Sequence, residues 1–108
     1  DLAGADLTYV SLVGAILVNA RLDGANMYGA KLTDARLLRA SLEKADLRSA
    51  VLQGAILSGA QFNGANLDDA DFRGALAISA AQICSAASHT AIQIDASLQP
   101  QVVTLCGN

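Results

Sequence analysis

Alanine occupies every fifth position from Ala5 to Ala80, with Val10 as the one exception, and a large apolar residue follows two places later. That second series is Leu2, Leu7, Leu12, Leu17, Leu22, Met27, Leu32, Leu37, Leu42, Leu47, Leu52, Leu57, Phe62, Leu67 and Phe72. Fifteen units of the form A-x-L-x-x therefore run in unbroken register. A strict short period marks a repeat architecture and restricts the fold more than any other property of the chain. In an α-helix a five-residue step rotates by roughly 140°, which would scatter the leucines around all sides. In a long strand an odd period would send alternate leucines to opposite faces. What remains is a chain that turns a corner every five residues. Alanine and leucine, two apart on a short extended side, then point inward together, and the other three positions point outward. The position before each alanine is Gly in eight units, Gly4, Gly14, Gly24, Gly29, Gly54, Gly59, Gly64 and Gly74, and Asn19, Asp34, Ser49 or Asp69 in others. These residues suit tight turns.

Units such as Ala5-Asp6-Leu7, Ala25-Asn26-Met27, Ala45-Asp46-Leu47 and Ala65-Asn66-Leu67 resemble those of pentapeptide-repeat proteins. The resemblance covers residues 1–75 and implies an all-β solenoid, a right-handed quadrilateral β-helix with four units, or twenty residues, per coil. On that scheme the repeats make about four coils. Sorting by twenty gives a polar ladder at positions 6, 26, 46 and 66 (Asp, Asn, Asp, Asn) and a largely apolar one at 16, 36, 56 and 76 (Ile, Arg, Ile, Leu). Alanine is needed inside because two larger side chains per side would overfill a narrow bore. Phe62 and Phe72 are expected to widen or plug the C-terminal end.

The expected organisation is a β-helix over 1–78 and a C-terminal cap and tail over 79–108. Ser79 followed by Gln82 reads as a capping box opening a short helix over 79–87 that lies across the last coil and covers Phe72. Ala91–Ile94 and Val102–Leu105 read as extended pieces around Pro100. Asp1 falls inside a repeat, which suggests a fragment of a longer protein. Cys84 and Cys106 leave several readings open: a structural disulfide tying the tail to the cap, a redox switch, free buried thiols, or half of a metal site for which only His89 is available as a further soft ligand. A disulfide would point to an oxidising compartment, namely periplasm, thylakoid lumen or the cell exterior.

Little in the sequence carries chemistry. No nucleophile elbow, HExxH or glycine-rich phosphate loop is present, and the glycines sit singly at corners. No catalytic residue, cofactor site or metal site is therefore expected. Asp68, Asp69 and Asp71 are the densest acidic cluster, read as a solvated, partly ion-paired surface with Arg48 and Arg73 nearby. The net charge is −3, and the six basic residues within 21–48 are interleaved with Asp23, Asp34, Glu43 and Asp46, so nucleic-acid binding is not expected. Nor is there an apolar run long enough for a membrane-spanning helix. The outward apolar residues Ile16, Val18, Leu38, Ile56, Leu76 and Ile78 gather on one face, interrupted by Arg36 and Ser58. Such a strip marks either an interface or the place where the tail folds back. The function expected is a non-enzymatic protein-interaction or scaffold module with a protein partner, with homo-association through the N-terminal end or the apolar face a further expectation. The alternative, implied by the quinolone-resistance branch of the family, is a DNA mimic that binds DNA gyrase.

Overall fold

The structure, a computed structural model, describes residues 1–107. Each five-residue unit contributes one short side and one turn. In the first complete unit the Val10 N–H donates to the Leu7 carbonyl at 3.1 Å, closing a turn whose third residue, Tyr9, has φ +57°. That left-handed residue recurs in all fifteen units, at the eight glycines and also at Asn19, Asp34, Ser49 and Asp69, with Tyr9, Arg39 and Lys44 as less expected occupants. A positive φ at the third position is the geometry of a type II turn, which favours Gly and Asn and strains other residues modestly. Gly29 answers a second demand: the Tyr9 ring lies where a Cβ at this position would be.

Successive levels are joined by parallel pairings at a spacing of twenty, from Asp6 with Asn26 to Ile56 with Leu76. The Leu7 N–H donates to Asn26 (2.7 Å), and the Asn26 N–H donates to Ala5 (2.9 Å), a pattern that repeats along the chain. Sides are so short that each gives a single paired residue rather than a continuous strand. Four columns result, named here by their first residues as the Asp6, Ser11, Ile16 and Arg21 faces. On the Asp6 face the side-chain oxygen of each Asp or Asn accepts the N–H two residues on, as Asn26 does from Tyr28 (3.2 Å) and Asn66 from Asp68 (3.0 Å). The polar ladder thus caps its own turns.

Inside, the large residues from Leu22 to Phe72 and the alanines between them are buried. Leu7, Leu12 and Leu17 in the first coil are only partly so. Phe62 and Phe72 meet edge to face, with ring centroids 5.8 Å apart.

After Leu76 the regular path breaks. Helix α1 (Ala80–Cys84) is opened by the full Ser79–Gln82 capping box. It takes the place of the side that would have stacked above Gln61. The Gln82 amide reaches down to the Leu57 and Ala60 carbonyls at 2.8 and 2.9 Å, and Ile83 is fully buried. The chain then resumes the ladder two residues late, Ser88 pairing with Asn66 and Gln93 with Asp71. The backbone beside Phe72 is accordingly engaged by the extended segment, its N–H donating to Gln93 at 2.7 Å, and α1 occupies the Arg21 face, two corners from the Ser11 face that carries Phe72.

The segment expected to be extended at Val102–Leu105 is instead part of helix α2 (Gln99–Cys106). The two valines favour a strand, but Pro100 fits a first helical turn and Gly107, at φ +82°, closes the helix in the left-handed conformation. Tertiary packing decides between them, since Val102 and Leu98 are buried. Overall dimensions are 34 × 22 × 21 Å.

Candidate interaction face

The Ile16 face is built from two parallel columns. One holds the ladder residues Ile16, Arg36, Ile56 and Leu76, and the other holds Val18, Leu38 and Ser58 at the adjoining turns. Ile16 is 72% and Leu76 57% exposed, Val18 is exposed to 38%, and Leu38, Ile56 and Ile78 are half-buried by their neighbours. Ile16, Val18, Leu38, Ile56 and Leu76 of the expected strip lie together on this face, whereas Ile78 lies past the break in the repeat path, after the positive φ of Ala77, and packs against the core. The tail leaves Ile16 and Leu76 exposed, and its ladder pairings go to the Asp6 and Ser11 faces. Arg36 stands between Ile16 and Ile56 in the ladder and forms no ion pair among the described residues.

A second exposed group was not evident from the sequence. Tyr9 and Tyr28 meet edge to face at 5.5 Å, and the Arg48 guanidinium lies 5.2 Å from the Tyr28 ring centre. The signal that could have found it is the spacing of 19 and then 20 residues, since Tyr9 occupies the turn position beside the Tyr28 column. Arg48 is already held by a two-pronged bond to Asp46, at 2.9 and 2.7 Å, so this stack is a packed corner.

The acidic residues are likewise satisfied within the chain. Asp71 receives two bonds from the Arg73 guanidinium (2.9 and 2.8 Å) and one from Gln53 (2.8 Å). The Arg73 bonds hold its carboxyl below the usual 3.8, against the opposing effect of partial burial. Asp68 is lowered chiefly by the Ser88 hydroxyl and then by the Thr90 N–H, and Asp46 chiefly by Arg48. Asp69 lies at a turn. No group of three potential metal ligands converges among the described residues.

These shifts set a pH dependence. Each carboxyl has a folded value below its unfolded one, so its stabilisation is present above about pH 4 and is lost as the pH falls through the lowered value. Thermal melting is expected to be nearly flat from pH 7 to 5 and to fall steeply on further acidification. Asp71→Asn should melt lower at pH 7 and lose less on acidification; melts between pH 7 and 2.5 check both.

His89 is half-buried in a shallow depression with Ala87, Ser88, Thr90 and Ala91, and its ring makes no hydrogen bond among the described residues. No base–nucleophile pair forms there. Cys84, the last residue of α1, is joined to Cys106, the last residue of α2, with Cα atoms 5.3 Å apart at a sequence separation of 22. No helix among the described residues is long and apolar enough to cross a membrane.

The sequence profile of the pentapeptide repeats matches residues 1–39 and 40–76, in eight copies. The chain belongs to the pentapeptide repeat family. A pentapeptide repeat protein from the Arabidopsis thaliana thylakoid lumen is 31% identical and superposes with a TM-score of 0.70 over 85% of this chain and 59% of its own. HetL, a pentapeptide repeat protein involved in heterocyst differentiation regulation in the cyanobacterium Nostoc sp. strain PCC 7120, is 35% identical, with a TM-score of 0.67 over 82% of this chain and 38% of its own. The chain thus spans less than two thirds of the length of either solved relative. QnrB1, a plasmid-mediated fluoroquinolone resistance protein, superposes poorly, with 17% identity and a TM-score of 0.29. No functionally curated protein matches by sequence. As a pentapeptide repeat protein the chain is a right-handed β-helix, and proteins of this family are in general structural or interaction proteins.

Proposed function

We propose that this pentapeptide repeat protein is a non-enzymatic interaction or scaffold module, and that the Ile16 face is where a protein partner docks. One observation carries the reading. On the Asp6 face the ladder positions hold Asp or Asn that cap their own turns, whereas on the Ile16 face the same positions hold Ile16, Ile56 and Leu76. Placing large apolar groups outward gives up that capping bond and gains nothing inside the bore. A contiguous apolar surface left uncovered by the tail favours an interface. On this reading the repeats form a quadrilateral tower of about four coils, α1 caps its C-terminal end, and Cys84–Cys106 is structural. The lumenal relative and the disulfide favour an oxidising compartment. Unpaired cations in the middle coils, among them Arg36 and Arg39, speak against mimicry of a DNA duplex.

The test is Ile56→Asp, made in the longest natural form of the protein under oxidising conditions. Its melting temperature is expected to stay within a few degrees of the parent, because the side chain points outward. Recovery of partners in a pull-down is expected to fall at least tenfold. Unchanged folding with unchanged association would remove the proposal.

A further inference from the structure

Resting on the reading of the Ile16 face as the docking surface, we infer that its partner is an amphipathic α-helix that lies along the tower axis and brings one carboxylate to Arg36. The backbone of this face is already bonded to the levels on both sides: the Arg36 N–H donates to Ala15 (2.9 Å) and its carbonyl accepts from Leu17 (2.7 Å) on one, while the Ile56 N–H donates to Ala35 (2.9 Å) and the Leu37 N–H to Ile56 (2.8 Å) on the other. A partner strand would find no free edge in the middle of the face, so recognition runs through side chains. Successive ladder residues are set about 4.8, 9.6 and 14.4 Å from the first, the spacing of hydrogen-bonded levels, while helix positions i+3, i+7 and i+10 rise by about 4.5, 10.5 and 15 Å. One face of a three-turn helix therefore keeps step with Ile16, Arg36, Ile56 and Leu76, lying along their column beside that of Val18 and Leu38.

Charge selects the occupant. Arg36 is exposed, unpaired among the described residues and flanked by isoleucines in its own column, and the nearby Arg39 bonds only the neutral Asn19 side chain at 2.9 Å. The carboxylates at the margin are Asp34, at the corner before Arg36, and Asp95, bound to the Gly74 N–H at 3.0 Å two levels away. Neither is paired with Arg36. A second copy does not match: two towers packed side by side set Arg36 against either Arg36 or Ile56 of the other, leaving the charge opposed or uncompensated. A lipid surface would want the cation at the rim and not among the groups that insert. An acidic residue at the second of four contacts, with apolar residues at the other three, meets both features. The contact is small, below the roughly 1,200 Å² of standard interfaces, so affinity on the order of micromolar is expected.

The experiment is selection from a phage-displayed library of 14-residue helical peptides, randomised at i, i+3, i+7 and i+10, against the full disulfide-bonded chain. Recovered peptides are expected to carry Asp or Glu at the contact facing Arg36. Their binding should weaken at least tenfold with Arg36→Glu and with Ile56→Asp, and a Lys-substituted peptide should regain affinity for Arg36→Glu. Circular dichroism melts confirm that both variants fold. Peptides that depend on Ile56 but show no acidic preference would overturn the helix-and-carboxylate inference and leave the interaction face standing. Peptides indifferent to both variants would overturn both. Phosphatidylglycerol vesicles bound by the parent but not by Ile56→Asp would replace the helix with a lipid surface.

Discussion

Reduction of the Cys84–Cys106 disulfide is expected to release helix α2 while leaving the repeat tower intact. The two helices are held very differently. α1 is tied to the last coil by the Gln82 amide, by its capping box and by the fully buried Ile83. Within α2 the hydrogen bonds are all local, the preceding N-cap residue Leu98 supplies no side-chain cap, and only Leu98 and Val102 anchor it by burial. Eight residues are too few to keep a helix on their own in water. Closing a loop with a 22-residue separation contributes about 3 kcal/mol on the chain-entropy model. That is comparable to what two buried apolar anchors supply. Hydrogen exchange should therefore show amides of 99–106 exchanging at least tenfold faster after reduction, or in Cys84→Ser/Cys106→Ser, with amides of 22–72 unchanged. Equal protection in both states, or loss of protection along the whole chain, would contradict this account.

The largest single-residue effect is expected at Leu47→Lys. Leu47 is fully buried at an inner level, between Met27 one level below and Leu67 one level above, both also fully buried. A lysine there either buries an unpaired ammonium in a dry bore or forces the side to open. Either costs upward of about 4 kcal/mol, a large share of the stability of a chain this size. Loss of cooperative thermal unfolding is expected. Leu47→Met, close in volume, should cost less than about 1.5 kcal/mol. A lysine variant that still melts cooperatively near the parent temperature would show that the bore is wet or adaptable.

The interior of this protein was open to reading from the sequence because one constraint, a side chain of fixed size at fixed depth, recurs at every unit. The same regularity located the polar ladder from Asp6 to Asn66 and the apolar face from Ile16 to Leu76. Tyr9, Arg39 and Lys44 were harder, since none favours a positive φ and only the register of the surrounding repeat compels it. Where the period ends, local preference misled. Val102 and Val103 suggested a strand, yet Pro100 in the first turn and Gly107 after the last were helix signals on either side of them. The displacement of α1 had no sequence signal, because it depends on which carbonyls Gln82 can reach. That Arg36 lacks a partner could not be read either, since nearby acids such as Asp34 differ from it only in direction.

The spacing of the ladder also bears on how the chain reaches its native state. Every bond between levels joins residues about twenty apart, and none of the ladder pairings joins one end of the repeats to the other. Once two neighbouring levels have met, each further level requires closure of one loop of the same modest length, at the same entropic cost. The free-energy profile of assembly is then a short barrier followed by equal downhill steps, like closing a zipper. Any adjacent pair of fully formed levels can start it.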